Sequence, residues 1–276
     1  MSSHDKYTVE LKPTASDIER TYSDYPELSI FLEGSIYNDG GFFILNNNKM
    51  FNSDKWPSIC QHKVILDKEQ QSEIKAIKVL LSQDTYEECI PKPSEEKERQ
   101  EGKEANWSNK PDNVYGRQKI KIDDSVIPSE DVFNRGHLIA DSIIRYSDKF
   151  DYHKREDFVM ITNWCNRANT NLKTSKACGM FYFENIILNT LKKGIDVEYR
   201  VTPIFKKNLE GVEQEFEYLP RGVILEAKTL NKETFEVEDD DVITNEFNVF
   251  IPNTQNGLDI NYKTGVIKTT SFLRGY

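Results

Sequence analysis

An apolar stretch near the middle of the chain is interrupted by three consecutive residues with chemistry of their own. The run FNRGHLIA at residues 133–140 has the apolar content of a mostly buried strand, and Arg135, Gly136 and His137 stand inside it. Histidine exchanges a proton near pH 7, since its unperturbed pKa is about 6.5. Arginine can hold a phosphate through two hydrogen bonds, and glycine allows a backbone or a ligand to approach closely. The stretch predicts either a strand that carries a general base and a cation, or a core histidine beside a surface arginine.

The charge of the chain limits how it could contact nucleic acid. The formal net charge over 276 residues is −10. Binding nucleic acid through bulk charge requires clustered Lys and Arg, so this mode is disfavoured. Residues 135–230, however, hold 15 Lys and Arg against 13 Asp and Glu, a net of +2. The acidic excess therefore lies outside this segment, and a local basic cleft is compatible with the composition.

Cysteine spacing and hydropathy bear on the compartment. The four cysteines form no CxxC pair and no zinc-binding spacing, so we expect them to be mostly reduced. The first 16 residues are polar and lack a signal-peptide pattern, and no apolar run approaches the roughly 20 residues that a membrane span needs. We expect a soluble protein that is cytoplasmic, secreted by a route without a signal peptide, or freed of a signal that has been removed.

A charged segment divides the chain. Residues 91–113 have almost no apolar side chains, which predicts a solvated linker, a mobile loop or a charged helix. We therefore predict an N-terminal α/β module of unknown role at residues 1–112 and a second unit at residues 113–276.

Hydrophobic spacing predicts elements on both sides of that segment. A short helix is expected near residues 17–23, and a β-meander over residues 28–52 with a strand at 42–45. Residues 67–81 predict a helix, because Asp67 suits the N-cap and the apolar residues at 74, 77, 80 and 81 would share one face. A second helix is expected at 180–191, ending at Gly194. Further strands are expected at 118–123, 134–140, 197–205, 222–230 and 247–251. The pattern indicates an α+β fold with a central antiparallel sheet.

Asparagine is concentrated between residues 163 and 171. Amide oxygens suit Mg²⁺, which keeps several waters and takes only one or two protein ligands. A histidine base on a strand, an amide ligand on the following helix and a carboxylate beyond it would together form a site for phosphodiester cleavage. Asparagine is also common in turns and caps, which is the alternative explanation for this cluster.

Several ordered motifs resemble those of the DNA/RNA non-specific endonucleases, which have the ββα-metal fold. NRGHLIA (residues 134–140) is similar to the family's DRGH motif, CNRANT (165–170) to its metal-binding Asn segment, and GMFYFEN (179–185) to its GMxYYEN helix. The runs that resemble the streptococcal DNase branch are VEYRVTPIF (197–205), LPRGV (219–223), LEAK (225–228) and FNVFIPN (247–253). The resemblance covers roughly residues 113–265.

The resemblance implies a role for each matching residue. His137 would be the general base, and Arg135 would contact the scissile phosphate or the product. Asn169 would be the protein ligand of Mg²⁺, with Mn²⁺ as the alternative ion, and Asn166 is its rival one helical turn earlier. Glu184 would hold the metal's waters through hydrogen bonds.

Three basic residues, Arg167, Lys173 and Lys176, could line a groove for the nucleic-acid backbone, or could form an ordinary solvated face. Two positions depart from the family pattern. Asn134 stands where the motif usually has Asp, and Trp164 lies near the position of the family's helix Gln.

The function implied is Mg²⁺-dependent hydrolysis of DNA, RNA or both to 5′-phosphate ends. An acidic nuclease without a signal peptide raises the further hypothesis of a bacterial toxin or defence effector restrained by an inhibitor protein. The alternative is a catalytically inactive nuclease fold that binds nucleic acid or a protein partner. Asn134 and the acidic net charge motivate this alternative.

Overall fold

The computed structural model describes most of the sheet and its helices. The described residues are 12–38, 40–61, 64–67, 72–74, 76–86, 120–122, 125–127, 133–147, 158–167, 179–206, 217, 219–235, 244–263, 265 and 267–269. The helices within these ranges are α1 (Ala15–Glu19), α2 (Pro26–Leu32), α3 (Asp141–Ile144), α4 (Asn163–Arg167) and α5 (Gly179–Lys192). The strands are β1 (Ile36–Asn38), β2 (Phe42–Ile44), β3 (Val64–Asp67), β4 (Ser72–Ile74), β5 (Ile77–Leu81), β6 (Ile120–Ile122), β7 (Ser125–Ile127), β8 (Phe133–His137), β9 (Phe158–Thr162), β10 (Val197–Ile204), β11 (Gly222–Thr229), β12 (Glu246–Pro252), β13 (Leu258–Ile260) and β14 (Ile267–Thr269).

A six-stranded antiparallel sheet in the order β1-β2-β12-β11-β10-β5 forms the centre of the fold. Its middle strands are the longest, and β10 pairs with β11 from Val197↔Thr229 to Ile204↔Gly222. Both strands are buried along almost their whole length. The predicted α+β class with a central antiparallel sheet is confirmed.

The sheet draws strands from both sides of residue 112. β1 and β2 add to the edge of β12, and β5 pairs with β10 on the opposite side. The predicted boundary at residue 112 lies outside the described residues and stays a prediction.

The two faces of the sheet are covered by different elements. On one face, α5 and the β8–β9 hairpin pack over sheet residues such as Tyr199 and Leu225. On the other, α1, α2 and short 3₁₀ segments cover Phe43, Ile224 and Phe250. The elements that carry the predicted site therefore lie on the α5 face.

The helix predicted over residues 67–81 was wrong. This segment contains β4 and β5, and β5 is an edge strand paired with β10 from Ile77↔Val201 to Leu81↔Val197. Val79 and Leu81 are buried, whereas Lys78 and Leu80 are exposed, which is the two-residue period of a strand. A short set of apolar residues can fit either period, and pairing with the long strand β10 decides the outcome.

The predictions for the longer elements are confirmed. α5 buries Met180, Phe183, Ile187 and Leu191, spaced three or four residues apart on one face. It ends where Gly194 adopts a φ of +80°, a conformation that favours glycine. The predicted strands at 42–45, 197–205, 222–230 and 247–251 correspond to β2, β10, β11 and β12.

Candidate active site

The central motif lies on a two-stranded antiparallel hairpin. β8 pairs with β9 residue by residue, from Phe133↔Thr162 to His137↔Phe158. β9 is buried throughout, because its alternate side chains pack into two different clusters. Val159 and Ile161 join the main core, and Met160 joins a smaller cluster with Phe133. The hairpin therefore presents the motif from a rigid base.

Gly136 has a packing reason to be glycine. A Cβ placed on it would lie 2.4 Å from Cδ1 and 2.6 Å from Cγ1 of Ile161, far closer than van der Waals contact. Ile161 belongs to the main core, so it cannot move away freely. The close approach expected at this glycine is thus to the neighbouring strand.

His137 is the last residue of β8 and is only partly buried. Its ring centroid lies 4.4 Å from that of Phe158, its partner in the strand pairing, with 54° between the ring planes. Phe158 is buried. One side of the imidazole is therefore held by a fixed aromatic ring, while the residue keeps some exposure at the end of the strand.

A short helix continues directly from the hairpin. α4 follows β9 without an intervening loop, and the Thr162 hydroxyl accepts a hydrogen bond of 3.1 Å from the backbone N–H of Cys165. This i to i+3 pattern is that of an N-cap. Asn163 and Asn166 on α4 are both partly buried. Asn166 is thereby held on the helix that follows the His137 hairpin.

Asn134, the departure from the usual Asp, bonds to this helix. Its Nδ2 donates to Oδ1 of Asn163 at 3.3 Å, which ties β8 to the first residue of α4. A carboxylate at position 134 has no proton to donate, so Asn163 would have to turn its own amide N–H toward it. The substitution is therefore matched by an amide partner rather than left without one.

Trp164 on α4, the second departure, is buried against the β1–β2 turn. A Cβ on Gly41, which has a φ of +85°, would lie 3.1 Å from Nε1 of Trp164. The indole thus packs where a longer side chain in the turn would clash. Trp164 therefore anchors α4 against this turn, and its correspondence to the family's Gln stays a prediction.

Glu184 enters from α5, with only 6% of its surface exposed. Burial and, to a smaller extent, the charge of Glu184 raise the pKa of the Tyr199 hydroxyl on β10. α4 packs against both α5 and β8. The strand that carries His137 and the helix that carries Glu184 therefore both pack against α4, which carries Asn166.

The structure describes only some of the predicted site residues. Asn169, Lys173 and Lys176 lie outside the described residues, as does the side chain of Arg135, whose backbone pairs with Met160. Arg167 is exposed at the last position of α4. Its assignment to a substrate groove stays a prediction, as does the choice between Asn169 and Asn166.

The sequence model of the DNA/RNA non-specific endonuclease family matches residues 85–268, about two thirds of the chain. The chain belongs to that family. It is accordingly a nuclease that hydrolyses nucleic acid, and the resemblance inferred from its motifs is confirmed.

Solved structures show the same fold for this endonuclease. NucA from Streptococcus agalactiae with no metal bound is 22% identical, with a TM-score of 0.58, over 93% of this chain and 100% of that one. NucA from the same organism with a magnesium ion bound is 21% identical over the same shares, with a TM-score of 0.56. The similarity extends over both the nuclease motifs and the strands that precede them.

The endonuclease's donor set suits a largely hydrated ion. Among the described residues, no group of three or more His, Cys, Asp or Glu side chains could hold a metal. The partly buried amide of Asn166 remains, and one or two oxygen ligands with several waters is the usual coordination of Mg²⁺. These residues fit magnesium better than a structural zinc ion, which takes a closed set of Cys and His ligands.

The two cysteines that the structure describes are unsuited to holding a metal. Cys60 and Cys165 are free, and burial raises the pKa of both thiols, which makes them poor nucleophiles and metal ligands. Within the described ranges, no helix combines the length and apolar character that crossing a bilayer requires.

Sequence reasoning missed the polar contacts that hold the site in place. Thr162 and Asn253, whose bonds join β9 to the end of β12, were not predicted as functional. Asn253 follows a proline at a strand end, which is also typical of a turn. The Thr-x-x-Cys spacing of an N-cap was the one available signal for Thr162.

Proposed function

We propose that the endonuclease is Mg²⁺-dependent and cuts DNA, RNA or both to 5′-phosphate ends, with His137 as its general base. The observation that carries this proposal is the β8–β9–α4 arrangement. It presents a partly buried histidine at the end of one strand and an amide-bearing helix directly after the next. No step requires a covalent enzyme intermediate.

His137 would take a proton from the attacking water. The water oxygen then forms a bond to phosphorus while the bond from phosphorus to the 3′-oxygen breaks, which leaves a 5′-phosphate and a 3′-hydroxyl after that oxygen is protonated. Phe158 fixes one side of the imidazole, so the ring is oriented before substrate binds. Arg135 would offset the charge that builds on the phosphate.

Asn169 or Asn166 would hold the metal, and Glu184 would hold its waters. When bound, Mg²⁺ would polarise a phosphate oxygen and stabilise the leaving 3′-oxygen. Two observations support this assignment: α4 packs against the helix of Glu184, and the similar NucA structure contains a magnesium ion.

The test is cleavage of plasmid DNA and of a structured RNA, with Mg²⁺ and with a chelator, by the purified chain and by His137→Ala. We expect cutting that requires Mg²⁺ and that the substitution removes. Activity should also fall as the pH drops through the titration of the imidazole, so a flat profile from about pH 5 to 8 would contradict a histidine base. Arg145→Ala, which removes an exposed cation beyond α3, is the matched control and should cut normally.

A second candidate follows from Asn134. A neutral amide at this position lowers the negative charge near the site, and the fold could then serve to bind nucleic acid or a protein without cutting. Binding of DNA or RNA without cleavage at any Mg²⁺ concentration would favour this function. Restoring activity with Asn134→Asp would identify the position as the cause.

We also propose a toxin or defence role in which an inhibitor protein restrains the nuclease. The acidic net charge is compatible with a basic inhibitor surface. Expression of the chain in a bacterial cell should then be toxic, and His137→Ala should remove the toxicity. A nuclease that is active in the test tube and harmless in cells would argue against this role.

A further inference from the structure

Asn253 lies just beyond β12 and is completely buried. Its Oδ1 accepts from the backbone N–H of Thr162 at 2.7 Å, and its Nδ2 donates to the carbonyls of Met160 at 3.2 Å and Pro220 at 2.9 Å. The amide thus uses its acceptor and both donors, and its partners fix which end is which. Through these bonds it clamps the end of β9 to the sheet.

Thr162 links the end of β12 to α4 through its hydroxyl. It is also completely buried, and its hydroxyl donates to the carbonyl of Thr254 at 2.9 Å while accepting from the N–H of Cys165 at 3.1 Å. One hydroxyl therefore joins the residue next to Asn253 to the first turn of the helix.

α4 depends on such bonds because it is only five residues long. A helix this short is not stable by itself in water, so its position must come from tertiary contacts. Trp164 and Cys165 supply apolar contact, and the Thr162 hydroxyl fixes the start of the helix through a hydrogen bond to its backbone, beside the side-chain bond between Asn134 and Asn163. Any movement there would displace Asn166, which lies on this helix.

We propose that Thr162, held by Asn253, is a positioning residue that sets the place of the metal-binding amide in this endonuclease. The inference rests on the proposed Mg²⁺ site. It assigns Thr162 no contact with metal or substrate, and its effect should appear in metal affinity rather than in the chemistry of the base.

The experiment measures the Kd for Mg²⁺ by titration calorimetry on the full chain without nucleic acid, together with the melting temperature. Thr162→Val keeps the shape of the side chain and removes the hydroxyl, and Thr162→Ser keeps the hydroxyl. Thr190→Val is the matched control, because the Thr190 hydroxyl is equally buried but bonds to the carbonyl of Ile186 within α5.

We expect the Kd to rise on the order of tenfold in Thr162→Val, as for other residues that hold metal ligands in place, and to stay unchanged in Thr162→Ser and Thr190→Val. The Mg²⁺ concentration for half-maximal cleavage should rise in parallel, with the KM for DNA unchanged.

A folded Thr162→Val with the original Kd would overturn the proposal, and so would an equal loss in Thr190→Val, which would show general destabilisation. If Thr162→Val does not fold, Thr162→Ser decides: an unchanged Kd supports the proposal, and a weakened one overturns it. An original chain that binds no Mg²⁺ and cuts without it would instead refute the proposed metal dependence.

Discussion

The polar side chains on the two faces of the central sheet differ in their burial and in their pairing. On the face covered by α1 and α2, charges are buried and closely paired: Arg200 donates two hydrogen bonds to Glu226 and a third to the carbonyl of Phe51. On the α5 face, His137 and the amide residues Asn163 and Asn166 are partly exposed, and Glu184 is the buried carboxylate of the predicted site.

This difference distinguishes polar side chains that stabilise the fold from those of the predicted site. Arg200 and Glu226 are 5% and 0% exposed, so neither can reach a substrate, and the guanidinium also lies over the Trp56 ring at 4.7 Å. His137 and Asn166 are only partly buried as residues, in contrast to the Arg200–Glu226 pair. Changes on the first face should therefore reduce stability, and changes on the second should reduce activity.

The largest expected effect is on the site. His137→Ala should lower kcat by a factor of about 10² to 10⁴, the usual contribution of a general base. The melting temperature should change little, since the residue lies at a strand end. Single-turnover cleavage with saturating Mg²⁺ measures the first and thermal unfolding the second. A variant that retains full activity would remove His137 from the mechanism.

The opposite pattern is expected for Arg200→Ala. It leaves Glu226 charged and buried without its partner, which should cost about 3 to 5 kcal/mol of the free energy of unfolding. Urea denaturation measures the loss, and the double variant Arg200→Met with Glu226→Gln should recover part of it. The fraction that stays folded should show the original Kd for Mg²⁺. A changed Kd would mean that the two faces are not independent.

Gly136→Ala tests whether the glycine of the motif serves packing or catalysis. The added methyl meets Ile161, and the overpacking should cost about 1 to 3 kcal/mol. Adding Ile161→Ala should remove the clash and restore the strand spacing. Because the smaller side chain also leaves a cavity, the double variant should recover only part of the lost stability. Restored cleavage in the double variant would show that the glycine acts through packing.

The smallest expected effect concerns Asp24 in the α1–α2 turn, which pairs with Arg221 just before β11. Burial raises the pKa of this carboxyl, but hydrogen bonds and charge from Arg221 and Lys206 outweigh it, so the pKa is lowered overall. A lowered pKa gives a contribution that is present at pH 7 and lost as the pH falls below the ordinary aspartate value of about 3.9.

Because the Asp24 side chain is 58% exposed, the contribution should stay below about 1 kcal/mol. The difference in the free energy of unfolding between the original chain and Asp24→Asn should shrink toward zero between pH 5 and pH 2. Asp259→Asn, an exposed aspartate on β13, is the control. A difference that grows toward low pH would contradict the direction of the shift.

Sequence patterns located the long elements and the strand that carries His137 because their signals are local. Apolar residues recur every three to four positions in α5, and β10 to β12 are strands of seven or eight residues that are rich in apolar side chains. β5 was missed because its five residues suit either period until a partner strand is known. Thr162 and Asn253 were missed for a related reason: their bonds join residues more than 90 positions apart and leave no periodic trace.

The shared sheet also has a consequence for how this nuclease can be shortened or recombined. Cutting the chain at residue 112 would remove β2 from the side of β12 and β5 from the side of β10. Two long hydrophobic strands would each be left with an open hydrogen-bonding edge, the situation that drives chains to aggregate. A shortened or recombined nuclease would therefore have to keep β2 and β5 together with the catalytic motifs.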